Sequence, residues 1–370
     1  MTFQTFTGKE YLKIDIANSF GLDKRSWDDR IAWFDDNEHQ LRNIMKDAEE
    51  PALFYAGILA WEDTLAGKPS GYPISLDATC SGIQVLAALA GDRSAARMCN
   101  VVDTGAREDA YTGIYKAMVD KLGDTAKIDR KMTKNAIMTA FYGSTARPKQ
   151  VFGEGELLNI FYQTLESHAP GAWEINKTML SIWDSKTLMH EWILPDNFHV
   201  KVKVMGQNKE TVHFLNEPFE VIQEINRPVK DGRSLGANLV HSLDGMIVRE
   251  MQNRCNYDQA HIYELERLIH VRASGRSKHR PKDALVQTLW SHYNESGFLS
   301  SRILQYLDID NLGLVNLGVI AEMINDLPPK SFEVISIHDC FRCLPNYGND
   351  LRRQYNHIFC LLYTSDAADE

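Results

Sequence analysis

The spacing of apolar and polar positions predicts helices over most of the chain. Apolar residues recur at helical spacing through much of 8–70, 94–183 and 250–330. Ser26 precedes two acidic residues and an apolar run, which is typical of a capped helix start. The stretch 82–90 is also predicted to be a helix, and a glycine directly after it suits a helix end.

Extended segments are fewer and shorter. Residues 198–205 alternate strictly between apolar and polar, which predicts a strand with its lysines on one face. The short run 72–76 fits a strand that ends at Asp77, and 332–337 with 340–344 fit a hairpin. We therefore expect a helix-rich α+β protein with a small antiparallel sheet.

Composition narrows the class of protein. The 370 residues are 44% hydrophobic, and 40 Lys and Arg against 50 Asp and Glu give a net charge of −10. This balance argues against a protein that simply coats DNA, so a nucleic-acid enzyme of this composition must concentrate its cations locally. The cysteine spacing has no disulfide framework, the N-terminus lacks a signal peptide, and the longest apolar run is too short to cross a bilayer. We expect a soluble cytoplasmic protein without a membrane partner.

A charged stripe marks the predicted helix near residue 135. Arg130, Lys134, Met138 and Tyr142 are spaced by four, so they lie along one helix face, and Gly143 follows directly. Two cations and an aromatic ring along one face could grip a nucleoside triphosphate at both ends. An ordinary amphipathic helix, with its cations extended over a core stripe, explains this spacing about equally well.

Two aspartates lie at a predicted strand end and in a predicted hairpin turn. Asp77 follows the strand at 72–76, and Asp339 lies in the turn of the predicted hairpin. Two carboxylates from different strands could hold two Mg²⁺ ions for phosphoryl transfer. For either aspartate alone, a capping or turn role is the more common explanation.

Three motifs in order carry a family resemblance. The sequence Asp-x-x-Cys-Ser-Gly-Ile-Gln begins at Asp77, Arg-x3-Lys-x7-Tyr-Gly begins at Arg130, and Ile-His-Asp ends at Asp339. These resemble motifs A, B and C of the single-subunit RNA polymerases of phages and mitochondria. Segments 8–24 and 238–245 resemble further parts of that family, so the likeness extends over roughly residues 8–345.

The resemblance implies a right-hand polymerase with a palm and fingers, acting on a DNA template with nucleoside triphosphates and making an RNA product. It implies that two Mg²⁺ ions are bound by Asp77 and Asp339, and that the incoming triphosphate is bound by Arg130 and Lys134. The other implied substrate contacts are Tyr142 and Gly143 beside the sugar and template base, His241 at the ribose 2′-hydroxyl, and, on weaker similarity, Tyr111.

The choice between RNA and DNA synthesis depends on motif A. Related DNA polymerases carry a glutamate that blocks a 2′-hydroxyl, where this chain has Gly82. A residue without a side chain leaves room for ribose, and His241 offers that hydroxyl a polar partner. RNA synthesis is therefore favoured, with a DNA polymerase or an inactive polymerase-like binding subunit as the alternatives.

The motifs also divide the chain. We expect residues 1–93 and 242–359 to form the palm, residues 94–241 the fingers, and about 250–330 a helical insertion. Residues 360–370 resemble the translation of a sequencing-library adapter rather than natural sequence.

Two further features concern partners. An Asp-x-x-Gly-Arg motif that precedes motif A in the family is missing. Either a second polymerase subunit supplies it, in which case the chain resembles the catalytic subunit of the two-subunit RNA polymerases of some phages, or the sequence begins internally. The position of Met1 near the family boundary favours the first explanation. The basic run 271–282 is predicted to be a loop; a solvated surface is the simpler explanation, and contact with a partner or with phosphate remains an alternative.

Overall fold

The fold is taken from a computed structural model. It describes residues 3–102, 104–105, 107–123, 128–215, 217–272 and 279–364. Much of the basic run 271–282 and the end of the chain, 365–370, lie outside the described residues.

Helices dominate the described part of the chain. In chain order they are α1 Gly8–Ala17, α2 Trp27–Asn37, α3 Leu41–Ile44, α4 Pro51–Leu65, α5 Ser81–Leu89, α6 Arg93–Met98, α7 Ala110–Leu122, α8 Arg130–Phe141, α9 Ala146–Phe152, α10 Glu156–His168, α11 Pro170–Ser181, α12 Ser234–Cys255, α13 Gln259–His270, α14 Pro281–Ser296, α15 Leu317–Asn325 and α16 Gly348–Thr364. None of these described helices is long and apolar enough to cross a membrane.

The strands form three small antiparallel sheets. They are β1 Ile74–Asp77, β2 Met189–Ile193, β3 His199–Lys203, β4 Met205–Phe214, β5 Glu217–Asn226, β6 Ile335–Ile337 and β7 Cys340–Cys343. One sheet has the order β1-β7-β6, β2 pairs with β3, and β4 pairs with β5. The expected helix-rich α+β class with small antiparallel sheets is thus confirmed.

The three-stranded sheet is supported by the largest hydrophobic cluster. Ile74 of β1 and Phe341 of β7 are buried there against residues of α1, α5, α12 and α16. A buried carboxylate also holds β1 in place, because Asp15 of α1 accepts hydrogen bonds from the Ser75 backbone N–H at 2.8 Å and the Tyr72 hydroxyl at 2.7 Å. The start of β1 is therefore held by α1 as well as by the hydrophobic cluster.

Three other clusters pack around this centre. One joins α5, α6, α7, α8, α10 and α11, one lies among α1, α2 and α4, and one lies within α13, α14, α15 and the turns between them. The last cluster gives the predicted insertion a hydrophobic core of its own. Leu362, within the stretch expected to be an adapter translation, is buried at the end of α16.

Several helices and strands lie where short sequence patterns predicted them. The Ser26 hydroxyl accepts a hydrogen bond from the Asp29 N–H at 3.1 Å, so the predicted start of α2 is confirmed. The alternating run became β3, and its lysines, Lys201 and Lys203, are both exposed. The hairpin at 335–343 is also present, although residues 332–334 do not join its first strand.

Other expectations at this level were wrong or incomplete. The ribbon of β4 and β5 and the strand β2 were not predicted. Every ribbon position except Gly206 is exposed, so no buried face imposes an alternating pattern on its sequence. The predicted loop 271–282 is too long, because Pro281 occupies the first turn of α14, where proline is well tolerated.

Candidate active site

The two aspartates predicted to act together lie on neighbouring strands. Asp77, the last residue of β1, is directly opposite Cys340, the first residue of β7. The ladder continues beyond it, since the Ala78 N–H donates to the Asp339 carbonyl at 3.2 Å. His338 precedes Asp339 in the tight turn with a φ of 56°, a left-handed conformation. Antiparallel pairing therefore brings the two acidic residues to the same end of the sheet.

The electrostatics of Asp77 reflect this proximity. Desolvation by the surrounding protein and the nearby charge of Asp339 raise the pKa of Asp77 to about 6, with a smaller contribution from Asp23. Lys134 acts in the opposite direction and lowers this pKa. The site thus holds two carboxylates whose repulsion is only partly offset by a cation, an arrangement that favours a bound positive charge.

A third carboxylate lies beside this pair. Asp244 of α12 is half-buried and accepts a hydrogen bond from Ser81; burial and the charge of Asp339 raise its pKa to about 6. The sequence analysis missed this residue. A signal was present, since Asp244 follows His241 by three positions and so shares its helix face.

A buried polar link supports the site from α16. The Tyr355 hydroxyl donates to the Gln84 side chain at 2.9 Å, and the Gln84 amide donates to the Cys99 carbonyl at 2.7 Å. Burial, together with the charges of Asp244 and Asp339, raises the pKa of Tyr355 well above its ordinary value. The tyrosine therefore stays neutral beneath the acidic cluster, and it too was missed from sequence.

The cations predicted on α8 have different surroundings. Lys134 is half-buried, its Nζ lies 5.1 Å from the centre of the Tyr111 ring, and its charge reaches Asp77. Tyr111 in turn hydrogen-bonds with the Cys80 side chain, and burial raises its pKa above the ordinary value. This contact connects α7 and α8 to the loop that follows β1.

Arg130 is engaged by a different carboxylate. Its guanidinium forms an ion pair with Asp109, and its Nε donates to the Thr112 hydroxyl at 2.6 Å. Asp109 is also the N-cap of α7, where it accepts the Tyr111 and Thr112 N–H groups. The predicted triphosphate ligand is therefore held by the start of a neighbouring helix.

Tyr142, Gly82 and His241 form one contact group. The rings of Tyr142 and His241 stack with centres 5.3 Å apart and an interplanar angle of 25°. A Cβ at position 82 would lie 2.7 Å from the Tyr142 hydroxyl, so only glycine allows this approach. In this structure the space above Gly82 is occupied by the tyrosine hydroxyl.

The backbone conformation at position 143 favours glycine. Its φ is +81°, and a Cβ there would lie 3.0 Å from the Arg233 carbonyl oxygen. The predicted departure of the chain from α8 at this point is confirmed. The close approach also connects the end of α8 to the start of α12.

The residues fit a hard divalent cation. Within the described ranges, no group of three or more His, Cys, Asp or Glu side chains forms a ready metal cluster. Mg²⁺ nevertheless needs only one or two carboxylates when water and phosphate oxygens complete its coordination. Asp77 and Asp339 supply two carboxylates at the same end of one sheet, which meets that requirement.

Contacts therefore connect most of the predicted residues into one region. Asp77, Asp339, Lys134 and Tyr111 are linked through charge and ring contacts, and Tyr142 joins them to Gly82 and His241. Arg130 is the exception, since Asp109 holds it.

The chain is similar in sequence to known proteins over part of this region. Residues 5–160 match the family model of DNA-dependent RNA polymerase. A probable DNA-directed RNA polymerase of Neurospora crassa is 31% identical over 161 residues, which cover 38% of this chain and 18% of that protein. The DNA-directed RNA polymerase of Pseudomonas phage phiKMV is 30% identical over 173 residues, covering 37% of this chain and 21% of the relative.

A third relative extends the likeness along the chain. A probable DNA-directed RNA polymerase of Agaricus bitorquis is 22% identical over 367 residues, covering 79% of this chain and 33% of the relative. The chain spans at most about a third of the length of these three proteins. The predicted resemblance to phage and mitochondrial-type RNA polymerases is confirmed.

Proposed function

We propose that this chain carries the catalytic centre of a template-directed RNA polymerase, which adds ribonucleotides from nucleoside triphosphates to an RNA 3′-hydroxyl on a DNA template. The observation that carries this proposal is the juxtaposition of Asp77 and Asp339 across β1 and β7, with Lys134 facing Asp77. The family match over residues 5–160 supports the same reaction class.

Asp77 and Asp339 would hold two Mg²⁺ ions in this proposal. Bound there, the ions would neutralise charge that develops on the attacking and leaving oxygens during phosphoryl transfer. The chain itself supplies the acidic strand ends, fixed by the β1–β7 ladder and by the Asp15 contacts to β1. The half-buried Asp244 adds negative charge beside Asp339.

Lys134 and Arg130 would bind the triphosphate. Lys134 already lies within electrostatic reach of Asp77. Arg130 would have to exchange the Asp109 carboxylate for a phosphate oxygen, which a guanidinium binds in a similar planar geometry. Occupation of the site is therefore coupled to the contact between α7 and α8.

Tyr142, His241 and Gly82 would select the sugar. The Tyr142 and His241 rings stack, and the His241 side chain is exposed. Gly82 has no side chain that could exclude a 2′-hydroxyl, and the group next to it is the Tyr142 hydroxyl. This favours ribonucleotides over the alternative of DNA synthesis.

Palm and fingers can be assigned on the same basis. We assign the palm to the β1-β7-β6 sheet with α12 and α16, and the fingers to the helices from α6 to α11. We also propose that a second polypeptide provides the Asp-x-x-Gly-Arg motif that this chain lacks. Full-rate transcription by this chain without any added polypeptide would contradict that part of the proposal.

Extension of an RNA primer on a DNA template tests the proposed reaction. Wild type, Asp77→Asn, Asp339→Asn and a control, Asp120→Asn on the exposed face of α7, would be compared with NTPs, dNTPs and added Mg²⁺. Each of the first two variants should abolish extension, because one oxygen donor set loses its charge, whereas the control should match wild type.

The same assay separates the alternatives. Preferential use of dNTPs would identify a DNA polymerase. Binding of primer and template without extension by wild type, even with the complementing polypeptide, would identify an inactive binding subunit. Undiminished extension by either active-site variant would refute the metal assignment.

A further inference from the structure

A cationic cavity is lined by residues other than those of the carboxylate site. It has a volume of about 520 Å³ and opens between the end of β3 and the first turn of α12. The lining residues that matter here are Trp183, Lys201, Lys203, Asp231, Arg233 and Ser234.

The charge of this cavity contrasts with that of the whole chain. Lys201, Lys203 and Arg233 contribute three cations, and Asp231 contributes one carboxylate. Lys201 is 4.0 Å from the exposed Glu191, a loose surface pair, while Arg233 also donates to the Thr145 hydroxyl at 3.0 Å. In a chain of net charge −10, such a local excess of positive charge favours an anionic ligand.

The start of α12 adds backbone donors to the same cavity. The helix has 22 residues, and Arg233 at its N-cap makes no side-chain capping hydrogen bond. The N–H groups of its first turn, beginning at Ser234, therefore lack a side-chain acceptor from the cap. Uncapped helix starts of this kind bind phosphate groups well.

An aromatic side chain completes the lining. The Trp183 indole is fixed by a hydrogen bond from its Nε1 to the Val229 carbonyl at 3.0 Å. It packs so closely on Gly232 that a Cβ there would lie 2.1 Å from the ring. Proteins that bind single-stranded nucleic acids combine cations, which contact the backbone, with aromatic rings, on which bases stack.

The cavity also lies near the proposed active site. Arg233 is one residue before α12, and His241 follows Ser234 by seven positions on the same helix, roughly 11 Å at the rise of an α-helix. The Arg233 carbonyl closely approaches Gly143 at the end of α8. A strand that passes Tyr142 therefore needs only a few nucleotides to reach the cavity.

We propose that this cavity binds the phosphodiester backbone of a single nucleic-acid strand close to the active site. The proposal rests on the proposed function for the identity of the ligand as nucleic acid. The site is formed by Lys201, Lys203 and Arg233, with the first turn of α12 as a further donor. Template DNA and RNA product share this backbone chemistry, so the test includes both.

Fluorescence anisotropy with 5′-labelled dT12 and rU12 tests the site across a series of salt concentrations. The triple variant Lys201→Gln, Lys203→Gln, Arg233→Gln should bind more weakly than wild type. The slope of log K against log salt should fall by about 2, since each single-strand phosphate contact contributes roughly 0.7. Lys330→Gln, an exposed lysine outside the cavity lining, controls for the loss of one positive charge.

A variant expected to strengthen binding distinguishes loss of the site from misfolding. Asp231→Asn removes the only acid of the lining residues named above, so it should tighten binding several-fold. Loss of dT12 binding alone assigns the cavity to the template, and equal loss of both strands assigns it to the shared backbone. Slopes for the triple variant equal to those of Lys330→Gln, with no effect of Asp231→Asn, would overturn the proposal.

Failure of the polymerase proposal remains distinguishable, because this binding assay requires no catalysis. Primer extension by the wild type, measured on the same preparation, tests the reaction separately. A wild type that binds through the cavity but extends no primer, even with the complementing polypeptide present, would support the cavity proposal and reject the polymerase assignment.

Discussion

At the residue scale, the contact between Gly82 and Tyr142 is the most specific feature of the site. The tyrosine hydroxyl occupies the place where any other residue at position 82 would put its Cβ. The glycine is therefore constrained by a protein neighbour, in addition to any substrate. Sequence comparison of motif A alone suggests only open space at this position.

Gly82→Ala should lower kcat/KM for ribonucleotides by on the order of tenfold, because the new methyl displaces the Tyr142 hydroxyl. In a Tyr142→Phe background the closest clash disappears, so the same substitution should cost less, with a coupling energy of about 1 kcal/mol. Steady-state primer extension with UTP and dUTP measures both effects.

Gly113→Ala is the matched control for this cycle. It is also a helical glycine, but a Cβ there would meet no atom within 4 Å. It should raise stability by up to about 1 kcal/mol through helix propensity and leave activity unchanged. Equal behaviour of the two alanine variants would contradict the steric explanation.

Asp15 should give the folded state a distinct pH dependence. Burial raises its pKa from 3.8 to about 6, so the folded chain binds this proton more tightly than the unfolded chain does. Its contribution to stability is therefore complete below about pH 4 and lost as the pH rises through 6. Relative to Asp15→Asn, the wild-type free energy of unfolding should fall by about 2 kcal/mol between pH 4 and 7.

Urea unfolding at four pH values measures this difference. Asp36→Asn, which changes an exposed carboxylate of α2, should give a curve parallel to that of wild type. If the Asp15→Asn curve were also parallel to wild type, Asp15 would not be the titrating group.

At the element scale, the start of α7 controls a side chain of α8. Asp109 caps α7 and also holds Arg130, which the proposed function requires to bind phosphate. The sequence showed the spacing on α8 but not this competition. The residue pattern along one helix cannot predict that its start contacts the start of another helix.

Asp109→Asn should lower the apparent KM for NTPs by about two- to five-fold, because the competing charge is lost from a partly exposed ion pair. Asparagine caps helices about as well as aspartate, so the folded state should be little changed. Asp129→Asn, the N-cap of α8, is the control, because it removes a capping charge that accepts from the Met132 N–H. An unchanged KM in the Asp109 variant would mean that Arg130 is not released on binding.

The ribbon of β4 and β5 illustrates the limit of pattern analysis at this scale. Its two strands pair from Met205 to Asn226, yet nearly every side chain is exposed. A strand without a buried face carries no requirement to alternate, so only the pairing of its partner strand identifies it. In contrast, β3 has the buried Val200 on one face and was predicted.

At the scale of the whole molecule, separate hydrophobic clusters are joined by a few buried polar contacts. Glu250 of α12 is fully buried and accepts hydrogen bonds from the Ser301 N–H at 3.0 Å and the Ser301 hydroxyl at 2.6 Å. It also pairs with Arg254 at 3.4 Å. The carboxylate therefore attaches the insertion to the helix that carries His241 and Asp244.

Glu250→Gln should lower the free energy of unfolding by about 3 kcal/mol, because it leaves the buried Arg254 without its counter-charge. Urea unfolding followed by circular dichroism measures the loss. Glu264→Gln removes the exposed partner of Arg267 in the same insertion and should leave stability nearly unchanged. Similar losses in both variants would show that burial of the ion pair is unimportant.

The structure gives the basic run 271–282 a different interpretation from the sequence. The sequence favoured a solvated loop, with phosphate contact as an alternative. Arg280 pairs with Asp283, Asp308 and Asp310, and Lys282 pairs with Asp308, so these two cations are engaged within the chain. Arg280 and Lys282 thus serve local structure, while the cationic cavity formed by distant segments was not recognised from sequence.

The sequence by itself determined the helix-rich class, the strand end at Asp77, the hairpin turn at Asp339, the stripe on α8 and the family resemblance. These depend on local periodicity and on short ordered motifs, which are properties of neighbouring residues. Only the tertiary structure decided that Asp244 joins the acidic pair, that Asp109 holds Arg130, and that Lys201, Lys203 and Arg233 surround one cavity. Such contacts join residues far apart in the chain, and their energies depend on distance and burial, which no local pattern encodes.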